Sequence, residues 1–146
     1  MKILVINGPN LNMLGSRELS HYGSETLADI EENIRVAAME YAVEISFFQS
    51  NHEGAIIDYL QETAVDADGV IINAGAFTHY SYAIRDALSD SNLPFVEVHL
   101  SNVQEREEFR RTSVFEGLAK ETIIGHRGQG YIMALKNLIR LLSGSS

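Results

Sequence analysis

"KILVIN" at residues 2–7 and "GVIIN" at residues 69–73 decide the fold. Neither alternates between polar and apolar positions. A strand with one wet face alternates, whereas a strand covered on both faces reads as a nearly continuous apolar run. Both runs end on Asn. Three further runs have strand character: Val43–Gln49 ("VEISFFQ"), Phe95–His99 ("FVEVH") and Thr122–Gly125 ("TIIG").

Helical patterns fill the intervals. Leu27, Ile30, Ile34, Ala37, Ala38 and Tyr41 recur at helical spacing, with Glu25, Asp29, Glu31 and Glu32 near the positive end of that helix. A second helix is expected from about Glu53, with Ile56, Ile57 and Leu60 inward. A third follows "THYSYAIRDAL", a short one is expected around Arg106–Phe109, and a last one runs through Ile132–Leu142. Strands alternating with helices imply an α/β domain, a parallel sheet with helices on both faces. Five strands suggest the flavodoxin-like order 2-1-3-4-5.

The chain has 146 residues, which fits a single domain over residues 1–142 with "SGSS" (143–146) as a flexible polar tail. There is no Cys, so disulfides and thiolate chemistry are excluded. Eleven basic and 20 acidic side chains give a net charge of −9, which argues against nucleic acid and anionic membrane as partners. An anionic small molecule stays open, because a local Arg cluster can reverse the field inside a cleft. "MKILVINGPN" reads as neither a signal peptide nor a membrane span, so a cytoplasmic protein is expected. The five His show no metal-binding spacing, and no metal is expected.

Ligands of open α/β sheets bind beyond the carboxyl ends of the strands. Here those ends read "NGPN", "QSN", "NAGAFTH", "HLSN" and "GHRGQG". The first opens a connection from Gly8 to Ser24, several times longer than the ~2–6 residues usual for a βα loop. It carries Arg17 and Tyr22 between Gly15 and Gly23. It could be a plain surface connection, or a lid that brings both side chains over a ligand. In "FVEVHLS", Glu97 and His99 share one face of a strand, and a carboxylate there can orient an imidazole for catalysis. Arg106 and Arg110 fall at i, i+4, which suits either a solvated ion-pair face or a hold on a carboxylate. Asn73, His79 and Asp86 are candidates for hydroxyl recognition.

"ILVINGPNLNMLGSRELSHYG", "QSNHEGAIIDYL", "NAGAFTHYSYAIRDAL" and "EVHLSNVQEREEFR" together resemble the type II 3-dehydroquinate dehydratases. The resemblance runs from near residue 3 to about residue 135, in order and at family spacing. Leu19, Ala74, Phe77, Tyr80, His126 and Arg127 depart from the residues usual in that family. None of these is a position assigned to chemistry.

The resemblance implies cofactor-free, reversible dehydration of 3-dehydroquinate to 3-dehydroshikimate through an enolate. That reaction belongs to aromatic biosynthesis and to quinate breakdown alike. In this pattern Tyr22 removes the proton alpha to the ketone. A free tyrosine has a pKa of ~10, so a base working near neutrality needs a cation such as Arg17 beside its oxygen. His99 would be the general acid, oriented by Glu97, and Asn10 would stabilise the enolate oxygen. Asn73, His79, Asp86 and Arg110 would bind the carboxylate and hydroxyls, with the backbone at Leu100 and Ser101, and Arg106 would line or support the site. The resemblance also implies trimers assembled into a dodecamer, with Asp86 reaching a neighbouring subunit's site.

The rival reading is a flavodoxin-like module that binds a flavin or nucleotide. It lacks a Ser/Thr-rich phosphate loop after the first strand and a Trp to stack on a flavin. A phospho-receiver would need an Asp where Asn73 stands. A Schiff-base dehydratase would need a site lysine, and Lys2, Lys120 and Lys136 all lie away from the carboxyl-end loops.

Overall fold

A computed structural model describes residues 1–144, so the last two residues of the expected flexible tail lie outside the described residues. The sheet is parallel throughout, in the order β2-β1-β3-β4-β5. Its strands are β1 (Lys2–Asn7), β2 (Glu44–Gln49), β3 (Gly69–Asn73), β4 (Phe95–His99) and β5 (Glu121–Ile124). The five-stranded flavodoxin-like α/β fold expected from the sequence is the one found.

Side chains of β1 part to opposite faces with the period of a strand. Ile3 and Val5 pack with Ile30 and Ile34 of α2 (Leu27–Met39), after the short α1 (Leu19–Tyr22). Leu4 and Ile6 pack on the other face with Ile56 and Leu60 of α3 (Glu53–Thr63) and Ile84 and Leu88 of α4 (Tyr82–Ser91). All four β1 side chains are fully buried, each worth ~1.5–3 kcal/mol over exposure. A one-residue slip in register would interchange the two faces, so this central strand fixes the alignment of its neighbours.

The helices begin where local chemistry satisfies their free N–H groups. Thr26 caps α2 by accepting from Asp29 N at 3.1 Å, and the Asp29 carboxylate accepts from Thr26 N at 3.0 Å. That backbone bond holds the Asp29 carboxyl below its ordinary value. Ser81 caps α4 by accepting from Ile84 N, and its hydroxyl also donates to Glu53 at the start of α3.

Two expected elements differ. The last helix, α5, runs Gln129–Leu142, a turn earlier than its apolar periodicity suggests. The short helix expected at Arg106–Phe109 is absent. Two 3₁₀ turns, Val103–Glu105 and Glu108–Arg111, stand there instead, and Arg106 is extended between them (φ −104°, ψ −162°). Asn102 nucleates the first turn by accepting from Gln104 N at 3.1 Å. Arg106 and Arg110 therefore do not share a helix face. Among the described residues, no helix is long and apolar enough to cross a membrane.

Candidate active site

Asn7, Asn73 and His99 close β1, β3 and β4 at the same edge of the sheet. The β1 and β3 ends approach so closely that only glycine fits at residue 8. A Cβ there would lie 2.3 Å from the Ala74 carbonyl oxygen, while Gly8 N donates to Asn73 O at 2.7 Å. Above this junction lies a cavity of about 110 Å³. Asn10, Arg17, Tyr22, Asn73, His79, His99, Leu100, Ser101, Arg106 and Arg110 all line it.

The long connection after β1 is anchored at intervals. Leu11 and Leu14 are buried in the core, and the stretch between them forms a 3₁₀ turn. Gly15 and Gly23 take positive φ (96° and 79°), the left-handed region that favours glycine. Helix α1 carries Tyr22 inward, where its ring packs partly on the core. Asn10 is held by its backbone: its N–H donates to Asn51 Oδ1 at 2.9 Å. Asn51 also accepts from Gln49 Nε2 at 3.2 Å. The sequence reading passed over this brace, although "QSN" sits at the carboxyl end of β2.

Two guanidinium groups converge on the Tyr22 hydroxyl. Arg106 Nη1 donates to it at 2.8 Å and Arg17 Nη2 at 3.1 Å. The Arg17 Cζ also stands 4.0 Å from the Tyr22 ring centroid. Arginine nitrogens can only donate, so both bonds use lone pairs of the Tyr22 oxygen. Arg106, expected to line or support the site, lines the cavity. It bonds Tyr22 directly, and its Nη1 also donates to Ser101 Oγ at 3.2 Å.

On β4, the wholly buried Glu97 meets His99 Nε2 at 2.5 Å through its Oε2. Glu97 and His99, two residues apart and expected on one face of the strand, are therefore paired. This uses one ring nitrogen and leaves Nδ1 to act on a ligand. The His79 ring lies 6.5 Å from that of His99 and nearly parallel to it. Burial, above all, holds the His79 imidazole below its ordinary value, with His99 and Arg110 adding to the effect and the Thr112 carbonyl opposing it. Its Nδ1 lies 2.8 Å from that carbonyl oxygen. A carbonyl only accepts, so Nδ1 carries the proton and a neutral His79 offers Nε2 as an acceptor.

Asn73 has its amide direction fixed. Its Oδ1 accepts from Gly75 N at 3.2 Å, and its Nδ2 donates to Tyr131 Oη at 3.1 Å. Tyr131, fully buried on α5, then donates to Asn7 Oδ1 at 2.5 Å. Asn73 thus keeps one N–H for a ligand. Tyr131 escaped notice because it lies just before Ile132–Leu142, where the last helix was expected. Arg110 spends its Nε on Glu107 at 2.9 Å, and this bond holds the Glu107 carboxyl below its ordinary value. The terminal nitrogens of Arg110 stay available at the cavity. Two expected residues do not line the cavity: Glu97, which stands behind His99, and Asp86. Asp86 is exposed on α4.

Three arginines and two imidazoles thus face one cavity on a chain whose net charge is −9. The arrangement suits an anionic ligand from which one group takes a proton and to which another gives one.

The family model described as dehydroquinase class II matches residues 1–139. A 3-dehydroquinate dehydratase of Thermotoga neapolitana is 53% identical over 146 residues, covering 100% of this chain and 99% of its own. One from Bacillus cereus is 49% identical, covering 99% of each. The crystal structure of the type II dehydroquinase from Butyrivibrio crossotus superposes with a TM-score of 0.92 at 53% identity, covering 95% of this chain and 97% of that one. Fold, cavity and these likenesses agree: the chain belongs to the class II dehydroquinase family.

Proposed function

We propose that this chain is a type II 3-dehydroquinate dehydratase, a hydro-lyase that interconverts 3-dehydroquinate and 3-dehydroshikimate by anti-elimination of water without a cofactor. The Tyr22 phenolate takes the proton alpha to the ketone, and the electron pair moves into the carbonyl to give an enolate. Asn10 stabilises the enolate oxygen. The enolate collapses to the conjugated enone as the C–O bond breaks, and His99 protonates the departing hydroxyl. Glu97 holds the imidazolium in place. Tyr22 ends protonated and His99 neutral, so the proton passes back through water before the next turnover.

Binding falls to the rest of the cavity. Arg110, with the backbone at Leu100 and Ser101, takes the carboxylate. Asn73 donates its remaining N–H, and His79 Nε2 accepts from a hydroxyl. Asp86 serves a neighbouring subunit within a dodecamer built as a tetramer of trimers, which accounts for its exposure here.

The single observation that carries this reading is the pair of guanidiniums on the Tyr22 oxygen, in the cavity that also holds the Glu97-backed His99. The test is ultraviolet absorbance after adding 3-dehydroquinate to the purified protein in chelator. The conjugated enone product absorbs where the substrate does not, so a rise supports the reading. No rise from folded protein contradicts it.

A further inference from the structure

The two oxygens of the Glu97 carboxylate do different things. Oε2 meets His99, while Oε1 accepts from Ser113 Oγ at 3.0 Å, with Thr122 Oγ1 at 3.5 Å. Ser113 lies in the irregular stretch between the Glu108–Arg111 turn and β5. The direction of its bond is fixed by a neighbour. Phe115 N donates to Ser113 Oγ at 3.1 Å. A backbone N–H cannot accept, so the single hydroxyl proton of Ser113 is free for Glu97.

A second cavity, of about 230 Å³, lies against this carboxylate and is bordered by Glu97, His99, Ser113 and Thr122. Ser113 does not line the ligand cavity. Glu97 therefore has open space beside it and a single close hydroxyl holding its outer oxygen. A fully buried carboxylate turns towards whatever donors remain when one is withdrawn.

We infer that Ser113 is a positioning residue for the reaction: by holding Glu97 Oε1, it keeps Oε2 on His99 Nε2 and so fixes the ring that protonates the leaving hydroxyl. This rests on the reading of His99 as general acid. Without the Ser113 hydroxyl, the carboxylate is free to swing into the second cavity and the imidazole loses its orientation. The loss falls on the chemical step. Substrate binding is spared, because Ser113 is not part of the cavity wall.

Ser113→Ala, Ser113→Thr and Ser113→Cys, compared with the unaltered chain in the enone assay, test this. For Ser113→Ala, kcat should fall about 10- to 100-fold, as for a lost hydrogen bond to a charged group, with KM changed less than about twofold. Ser113→Thr, which keeps the hydroxyl, should restore most of kcat. A folded Ser113→Ala with near-normal kcat, an equal loss in KM, or no restoration by Thr overturns the inference. If the Ala variant does not fold, Ser113→Cys decides. It keeps the volume but donates weakly, so its kcat should fall clearly, and an unchanged kcat overturns the inference. An unaltered chain that forms no enone defeats the dehydratase reading, and the inference with it. An active chain indifferent to Ser113 defeats the inference alone.

Discussion

Arg106 Nη1 lies 2.8 Å from the Tyr22 hydroxyl, joining residues 84 positions apart. Arg17, on the same loop as Tyr22, reaches that oxygen from five residues away. One cation sits on the same loop as Tyr22, and the other on the scaffold beyond β4.

On the proposed mechanism, loss of either arginine should weaken Tyr22 as a base. Arg106→Ala and Arg17→Ala should each lower kcat by about 10- to 1,000-fold near neutral pH, the range expected when one neighbouring cation is removed. In both variants the lost rate should recover in part as pH rises, because hydroxide then does what the missing cation did. A pH-rate profile checks this. A flat loss across pH would mean that the arginine mainly orders the loop.

His79 gives the fold its own pH dependence. Burial holds its imidazole below the ordinary 6.5. The unfolded chain then binds that proton more readily than the folded one, so stability rises with pH through this window. The His79 contribution is intact above about 6.5, starts to be lost as pH falls below it, and is fully lost below the lowered folded value. The urea midpoint should drop on acidification from pH 7 to 5, and drop less in His79→Gln. Equal drops would remove His79 as the cause.

Tyr131 ties α5 to the ends of β1 and β3. Burial pushes its phenol well up, so it stays a donor to Asn7. Tyr131→Phe leaves Asn7 Oδ1 and Asn73 Nδ2 short of a partner, which should cost about 1–3 kcal/mol. Thermal denaturation measures it. An unchanged melting temperature would mean that the network contributes nothing net.

The sheet was legible because burial on both faces leaves an unbroken apolar run. β1, β3 and β4 begin and end where the residues suggest. α5 begins earlier than expected because Gln129 and Gly130 carry no apolar stripe, yet Gly130 is buried in the turn that starts the helix. "EREEFRR" has the composition of a helix, but Asn102 starts a 3₁₀ turn and Glu107 is extended (φ −58°, ψ 148°), which breaks any helix there. Arg106 and Arg110 still reach one cavity, through two turns that helical spacing does not describe.

The site was legible in part for a different reason. Strand ends mark where a ligand sits, and Glu97 and His99 share a face by the period of a strand. Contacts between distant segments leave no such mark. Ser113 sits in a polar stretch without periodicity, Tyr131 lies just before the expected last helix, and Asn51 looks like surface. Each works through a partner at least 16 residues away. Spacing along the chain carries no trace of such pairings.

Turnover by Tyr22→Phe, measured beside the unaltered chain in the enone assay, tests the role of Tyr22 most directly. The variant keeps the ring and its packing and loses only the oxygen that both arginines hold. Its kcat should fall by at least ~10²- to 10⁴-fold, the usual contribution of a positioned base, with the circular dichroism and melting curve unchanged. A folded Tyr22→Phe that turns over at a near-normal rate would contradict the assignment of Tyr22 as the base.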